Sequence, residues 1–338
     1  MRKLCFAVLS IALVIGSITE SYSQFNRKSI KKNNKRIAHY RGKKSGFSRQ
    51  NVYSGVGFSV NALNYFGDLS PSASKLSTDL SFTKPGFGIS FFHRFGPRYT
   101  LLAQYMYGTI KGSDSESASV SDKESAVFRN RRNLSFSNTI HELSVLAYID
   151  LFDNQATYIS RVKWTPYIYT GGTLFLHNPQ AIAPKTDLKG QPLAEAGQYV
   201  DLQPLKTEGQ SYGLTQFAIP FGAGARFRIN EVMDIWADFG FRYTFTDYLD
   251  DVSNTYADLS TMTPLGQAMA YRTNELGVNG ITPPNSSSPS GIPGISVESG
   301  YGRKGDKRGG ASQNDIYMVT SIRLTYILGA TFHKAKFR

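Results

Sequence analysis

Three late stretches of the chain alternate between apolar and polar residues, and this period of two restricts the fold more than any other feature. In MDIWADFGFRYTF, Ile235, Ala237, Phe239, Phe241, Tyr243 and Phe245 fall on one face, opposite Asp234, Trp236, Asp238, Gly240, Arg242 and Thr244. In DIYMVTSIRLTYIL, Ile316, Met318, Ile322, Leu324, Tyr326 and Leu328 oppose Tyr317, Val319, Ser321, Arg323 and Thr325. In QFAIPFGAGARFRI, Phe217, Ile219, Phe221, Ala223, Ala225, Phe227 and Ile229 oppose Ala218, Pro220, Gly222, Gly224, Arg226 and Arg228. Residues two apart share one side of a strand, so each stretch reads as a strand with one apolar face. A β-sandwich and a transmembrane β-barrel both produce this alternation. The length of the segments, 20 Tyr and 22 Phe against 2 Trp, and an export leader favour the barrel.

Eight segments fit the pattern: 52–64, 84–95, 98–110, 139–151, 164–176, 214–229, 233–246 and 315–328. Their connections alternate in length. Gly96-Pro97 and Asn230-Glu231 are tight turns and 153–163 is intermediate, whereas 67–83, 111–138, 177–213 and 247–314 are long and polar. Outer-membrane barrels place short turns in the periplasm and long loops outside. The expected fold is therefore all-β: an eight-stranded antiparallel transmembrane β-barrel at 51–338, with long extracellular loops and both termini periplasmic. Pro220 removes a ladder donor within a strand and predicts a bulge. Side chains fill the interior of a barrel this size. Glu142, Arg226, Asp238, Arg242 and Arg323 face it with both signs present, which predicts a salt-bridged plug in place of a diffusion pore.

The N-terminus has two parts. Residues 1–23 read as a signal peptide, with Arg2 and Lys3 before the apolar run Leu4–Ile15 and small residues at Ser21 and Ser23, predicting cleavage near Ser23. The run is too short to span a bilayer. The single cysteine, Cys5, lies within it, which removes disulfide, thiolate and cysteine-metal chemistry from the mature chain. Residues 24–50 carry ten cations and no acid: Arg27, Lys28, Lys31, Lys32, Lys35, Arg36, Arg41, Lys43, Lys44 and Arg49. They hold most of the chain's net +13. A run this like-charged and weakly apolar predicts a disordered periplasmic arm. Dense Lys and Arg suggest nucleic acid, but an exported chain does not meet cytoplasmic DNA. The apolar Ile30, Ile37, Tyr40 and Phe47 within the run favour docking to a partner over simple attraction to lipid phosphate.

Catalytic patterns are lacking. His39, His93, His141, His177 and His333 are scattered without metal-ligand spacing, and no Gly-x-Ser-x-Gly elbow occurs. Asp247, Asp250 and Asp251 with Ser253 have the hard oxygens of a calcium site, but not an EF-hand pattern, and Asp is common where strands end in turns. His141 and Glu142, beside Ser144, point to opposite faces of a strand and form no dyad. The expectation is a non-enzymatic protein without cofactor, metal or small-molecule substrate. Its alternative role is that of a structural or adhesive barrel whose outer loops bind a ligand.

Four short sequences carry a family resemblance: NYFGDL (64–69), RRNLSF (131–136), FTDYLDDVSNTY (245–256) and the Asn-Asp-x-Tyr step of NDIYMVTSIRLTYIL (314–328). Together they resemble the PorG-like outer-membrane barrels of the type IX secretion system, a family also catalogued as a domain of unknown function. The resemblance runs from about Tyr53 to Leu328. Its motif positions are Gly67, Asp68, Leu69, Arg132, Asn133, Leu134, Thr246, Asp247, Tyr248, Asp250 and Asp251. It implies an envelope component in contact with outer-membrane lipid and with a periplasmic lipoprotein ring of the secretion machine. The length and charge of the arm and the long 257–314 loop exceed the family pattern.

Overall fold

The computed structural model describes residues 51–69, 83–117, 125–154, 161–279, 288–298, 300–310 and 314–328. The signal peptide, the basic arm with its ten cations, and the HKAKFR tail at 333–338 lie outside the described residues. Eight strands form the body: β1 Tyr53–Phe66, β2 Lys84–Arg94, β3 Tyr99–Ser113, β4 Ser135–Asp150, β5 Trp164–Ile182, β6 Thr215–Arg228, β7 Met233–Thr244 and β8 Ile316–Leu328. Each pairs antiparallel with its sequence neighbours, and β8 returns to pair with β1, closing the barrel.

The register determines the barrel's width. Starting at Ser54, the Cα partners run through His93, Leu101, Ala147, Thr170, Phe221, Phe241 and Met318 and return to β1 at Asn64, ten residues further along. With a rise of about 3.3 Å per residue and strands about 4.8 Å apart, that stagger tilts the strands by about 40°. A barrel of this stagger has room inside for side chains and little else. Two adjustments make the interior fit. Tyr169 lies flat against β6 and β7 because Gly222 and Gly240 stand beneath it; a Cβ at Gly240 would overlap the Tyr169 hydroxyl. Pro220, expected to force a bulge, causes none, since β6 keeps one register with β7 on either side of it. The β5–β6 partners are in phase before and after the Pro220 level, and the Thr170 hydroxyl donates to the Pro220 carbonyl at 3.0 Å.

Two four-residue connections, 95–98 and 229–232, lie at one end, the turn end, with the described residues 151–154 and 161–163. In the second, the Asn230 side chain accepts from the Val232 and Met233 amides, an Asx turn that closes the hairpin. The described parts of the other four connections lie at the opposite, loop end. Both ends of the barrel chain, at Tyr53 and Leu328, leave from the turn end, because the strand number is even.

The outer wall is apolar from strand to strand. Phe58, Phe87, Ile89, Phe91, Leu143, Val145, Ile168, Leu174, Phe239, Ile322 and Leu324 all project outward, with Ile89 and Ile322 62% exposed. An apolar surface this continuous has no place on a water-facing protein and matches a hydrocarbon-facing belt. Exposed aromatics edge it: Phe95, Tyr99, Phe152 and Tyr326 toward the turns, Tyr107, Tyr243 and Phe245 toward the loops. Met318, expected on this face, is buried between its register partners Asn64 and Phe241.

Several strands run further toward the loop end than the alternation predicts: β3 to Ser113, β4 from Ser135 and β5 to Ile182. There the pattern inverts. Leu63, Ile110, Phe136, Ile140 and Phe175 point inward into an apolar core, while Thr109, Lys111, Ser137, Thr139 and Gln180 point outward. The barrel is polar inside at the level of the belt and apolar inside above it.

Replacing Phe239 or Leu324 with Arg should cost about 2–4 kcal/mol if the side chain lies near the bilayer midplane. Ser321→Ala on the inner face should be close to neutral, since the Ser321 hydroxyl has no protein partner. Urea titration of the three variants folded into lipid vesicles measures this; equal costs for Phe239→Arg and Ser321→Ala would reverse the facing.

Candidate functional site

The lumen at belt level is filled by a network of rings and charges. Tyr53, Phe92, Leu102, Leu146, Tyr148, Tyr167, Tyr169, Trp236 and Ile327 form one buried cluster. The five luminal charges read from the sequence are all buried here. Glu142 accepts from Arg242 Nε at 3.3 Å, from the Tyr317 hydroxyl at 2.8 Å and from Ser144 Oγ at 2.5 Å. Arg323 lies 3.9 Å from Asp238 and donates to Gln104 at 2.6 Å. Arg226 lies over the Trp236 ring, 4.1 Å from its centroid, and reaches Asp150 at 3.4 Å. Asp150 also holds Arg94 at 2.7 Å, and Arg161 pairs with Asp234 at 2.7 Å near the turn end. Sequence reading missed these last partners. Arg94, Asp150 and Asp234 are inward by strand parity, whereas Arg161 comes from a connection that has no period to read.

Above the lumen the loops fold into a cap, and the four motifs of the family resemblance meet in it. The helix Ser125–Arg132 ends with Arg129, Arg131 and Arg132 in its last turn, where cations suit the negative end of the helix dipole. Asn133 then takes a left-handed conformation (φ 55°) and its amide bonds back to the Arg129 carbonyl at 3.0 Å, a stop that Asn tolerates. Leu134 drops into the apolar core.

Arg132 is buried by this turn and spans the cap. Its Nε and Nη2 grip Asp114 at 2.8 Å each, Nη2 also donates to the Asp68 carbonyl at 2.9 Å, and Nη1 donates to the Arg308 carbonyl at 2.5 Å. Arg308 in turn pairs with Glu208 at 3.0 Å and Asp251 at 3.4 Å. Asp68 Oδ2 accepts from the Gly310 amide at 2.7 Å, and Leu69 is buried beside it. Arg308, Glu208 and Asp114 carry no motif signal and were not anticipated.

The Asp-rich motif is drawn into separate partnerships. Thr246 Oγ1 accepts from the Tyr248 amide at 3.2 Å, and Tyr248 stacks on Tyr212 with centroids 4.6 Å apart. Asp251, left-handed at φ 66°, accepts from Thr207 at 2.5 Å and from the Tyr212 hydroxyl at 2.6 Å. Asp250 turns the other way, to the Tyr65 hydroxyl at 2.7 Å and the Leu69 amide at 3.2 Å. The Asp247 carboxyl is pushed up to about 7 by burial, against a hydrogen bond from Ser253 that lowers it. The three carboxylates thus do not converge on a common point, and among the described residues no group of three or more His, Cys, Asp or Glu side chains could hold a metal ion. Nor do the residues considered as a dyad meet: Glu142 is buried inside, and His141 is exposed on the outer wall beside the Tyr105 hydroxyl at 2.8 Å.

The described parts of the 257–314 connection, read from the sequence as a long polar loop, contribute to the cap. Leu259, Ala270, Tyr271, Ile292, Val297 and Tyr301 form a further buried cluster, against which Phe128 packs. Arg131 pairs with Glu298 across this junction. Among the described residues, the cap covers the loop end above the filled lumen.

Residues 45–266 match the family described as Domain of unknown function (DUF6089). No curated protein matches the chain. Among solved structures it is similar to the attachment invasion locus protein Ail of Yersinia pestis in complex with the heparin analogue sucrose octasulfate, at 8% identity and a TM-score of 0.33 over 82% of this chain and 99% of that one. It is also similar to the N-terminal β-barrel domain of OprF from Pseudomonas aeruginosa, at 10% identity and 0.29 over 82% and 98%. Neisserial surface protein A gives 10% identity and 0.31 over 82% and 96%.

Arg132→Met should destabilise the protein by about 3–5 kcal/mol, because it removes the guanidinium that grips buried Asp114 through two bonds of 2.8 Å. Pairing it with Asp114→Leu should recover part of that loss. Chemical denaturation of the single and double variants reads the difference; a double variant no better than the single would detach Asp114 from the effect.

Proposed function

The chain belongs to the family of unknown function DUF6089, and we propose that this protein is a non-enzymatic outer-membrane barrel serving as an accessory component of a type IX protein secretion machine. The observation that carries this reading is the convergence of NYFGDL, RRNL, FTDYLDD and the Asn-Asp-x-Tyr step in one cap over a filled lumen. These are the residues that resemble the PorG-like barrels of that system, and here they seal one end of the barrel. A barrel packed in this way offers cargo no passage, which suits an anchor or scaffold for the machine better than its conduit. The apolar belt supplies the membrane seat. The luminal carboxylates and arginines are engaged with one another, and a structural use accounts for them without a catalytic one.

In this reading the turn end faces the periplasm, where the basic residues between Arg27 and Arg49 reach a periplasmic lipoprotein ring. Single exposed ion pairs contribute little, typically below about 1 kcal/mol, and are screened over about 8 Å at physiological salt. Affinity from such an arm comes from many weak contacts made together, with Ile30, Ile37, Tyr40 and Phe47 as apolar anchors.

Orientation is tested with trypsin added to intact cells. The turn at Arg303–Lys304 is exposed and should be cut, while the sites at 27–49 stay protected until the outer membrane is opened; cleavage of 27–49 in intact cells would invert the topology. The partner is tested by changing the ten basic residues of 24–50 to Gln. The barrel should still insert, recovery of the periplasmic ring should fall and weaken further as salt rises, and secretion should fail. Undiminished recovery and secretion would dismiss the arm as the dock and favour an adhesive or purely structural barrel.

A further inference from the structure

Tyr65 poses a counting problem at the centre of the cap. Its hydroxyl oxygen lies 2.7 Å from Asp250 Oδ2 and 2.7 Å from Asp315 Oδ1. A phenol has one proton and donates once, and an ionised carboxylate only accepts. If both acids were ionised, one of these two contacts would set lone pair against lone pair inside a buried site. A second proton, on one of the carboxyls, turns both contacts into hydrogen bonds.

The surroundings indicate which acid carries it. Asp250 is already served as an anion, with Oδ1 accepting from the Val252 amide at 2.9 Å and Oδ2 from the Leu69 amide at 3.2 Å. Arg132 lies close enough to act on its charge, and Arg272 and Arg308 line the same small cavity. Asp315 accepts one amide, Leu249 N at 2.9 Å, and has the acid Asp247 close by, while Asp68 bears on both carboxyls. Burial raises both carboxyls well above the ordinary range, and the neighbouring acids raise them further.

We propose that the cap is closed by a retained proton: at neutral pH Asp315 is protonated and donates to Tyr65, Tyr65 donates to ionised Asp250, and alkaline loss of that proton loosens the cap. The proton joins three segments, since Tyr65 is the penultimate residue of β1, Asp250 follows β7 and Asp315 precedes β8. Gly67 stands directly over the pair, where a Cβ would overlap both the Tyr65 hydroxyl and Asp315 Oδ1. A carboxyl raised in the folded chain stabilises it fully below the unfolded carboxylate value, and the contribution is lost as pH rises through the folded value. The cap therefore weakens as pH rises through the raised Asp315 value.

The full chain in lipid nanodiscs, followed by infrared spectroscopy and by amide hydrogen exchange at Leu69, Leu249 and Val252, tests this. With Asp247→Asn as background, to remove the acid that titrates near 7, a protonated-carboxyl band should remain at neutral pH and disappear when Asp315→Asn is added. Exchange protection at Leu249 should fall by about tenfold or more on the alkaline side. Asp315→Asn, whose amide still donates to Tyr65, should hold that protection at alkaline pH, whereas Asp250→Asn should lose it at every pH. An Asp247→Asn background without an acid band at neutral pH, or a band there untouched by Asp315→Asn, overturns the proposal. So does an Asp315→Asn variant whose protection follows that of Asp250→Asn.

Discussion

Closure at a stagger of ten residues is the constraint on which the rest of this protein depends. It sets an interior too narrow for bulk water, so the inward charges must be balanced by partners within the protein. The inward face at belt level carries arginines and carboxylates, and they are sorted into pairs and held by tyrosines. Arg226 and Arg323 are placed over Trp236, where the ring's electron-rich face offsets part of the lost hydration. Replacing such pairs with apolar groups is often neutral or stabilising, so their presence argues for a defined arrangement more than for strength.

The cap obeys the same rule at a different level. Above the belt the outer face meets water and the inner face is covered by loops, so apolar residues turn inward and polar ones outward. The cap's backbone, leaving regular structure, exposes amides and carbonyls that must be satisfied in a buried place. Arg132, Asp68, Asp250 and Asp315 do that work, each bonding main-chain groups from a segment distant in sequence. This gives the motif residues a structural reason to be Asp, Arg and Asn.

What could be read from the sequence follows from this division. The eight strands, their order and their facing were legible, because a lipid wall on one side and a polar lumen on the other maximise the contrast that alternation reports. The ends of β3, β4 and β5 were set short because the contrast reverses there: Ser135, Ser137 and Thr139 face outward around inward Phe136, Asn138 and Ile140, and the sense of the pattern is lost although its parity is kept. Pro220 misled for a local reason, since its missing donor can be absorbed by one interrupted rung. The cap was hardly legible. Arg308 and Glu208 are 100 residues apart, and no period or spacing signals a pair made by loops. The motifs marked the right residues without revealing that they share one place.

The cap also has a history in time. Tyr65 reaches Asp315 across 250 residues of chain and Asp68 reaches the Gly310 amide across 242. Contacts of such separation form late, because the entropy of closing the loop precedes any gain. Asp315 stands immediately before β8, whose pairing with β1 is the seam that completes the barrel. The carboxyl that ties the cap thus arrives with the last strand. A barrel left open at that seam lacks its cap as well, so the sealed end marks completed assembly.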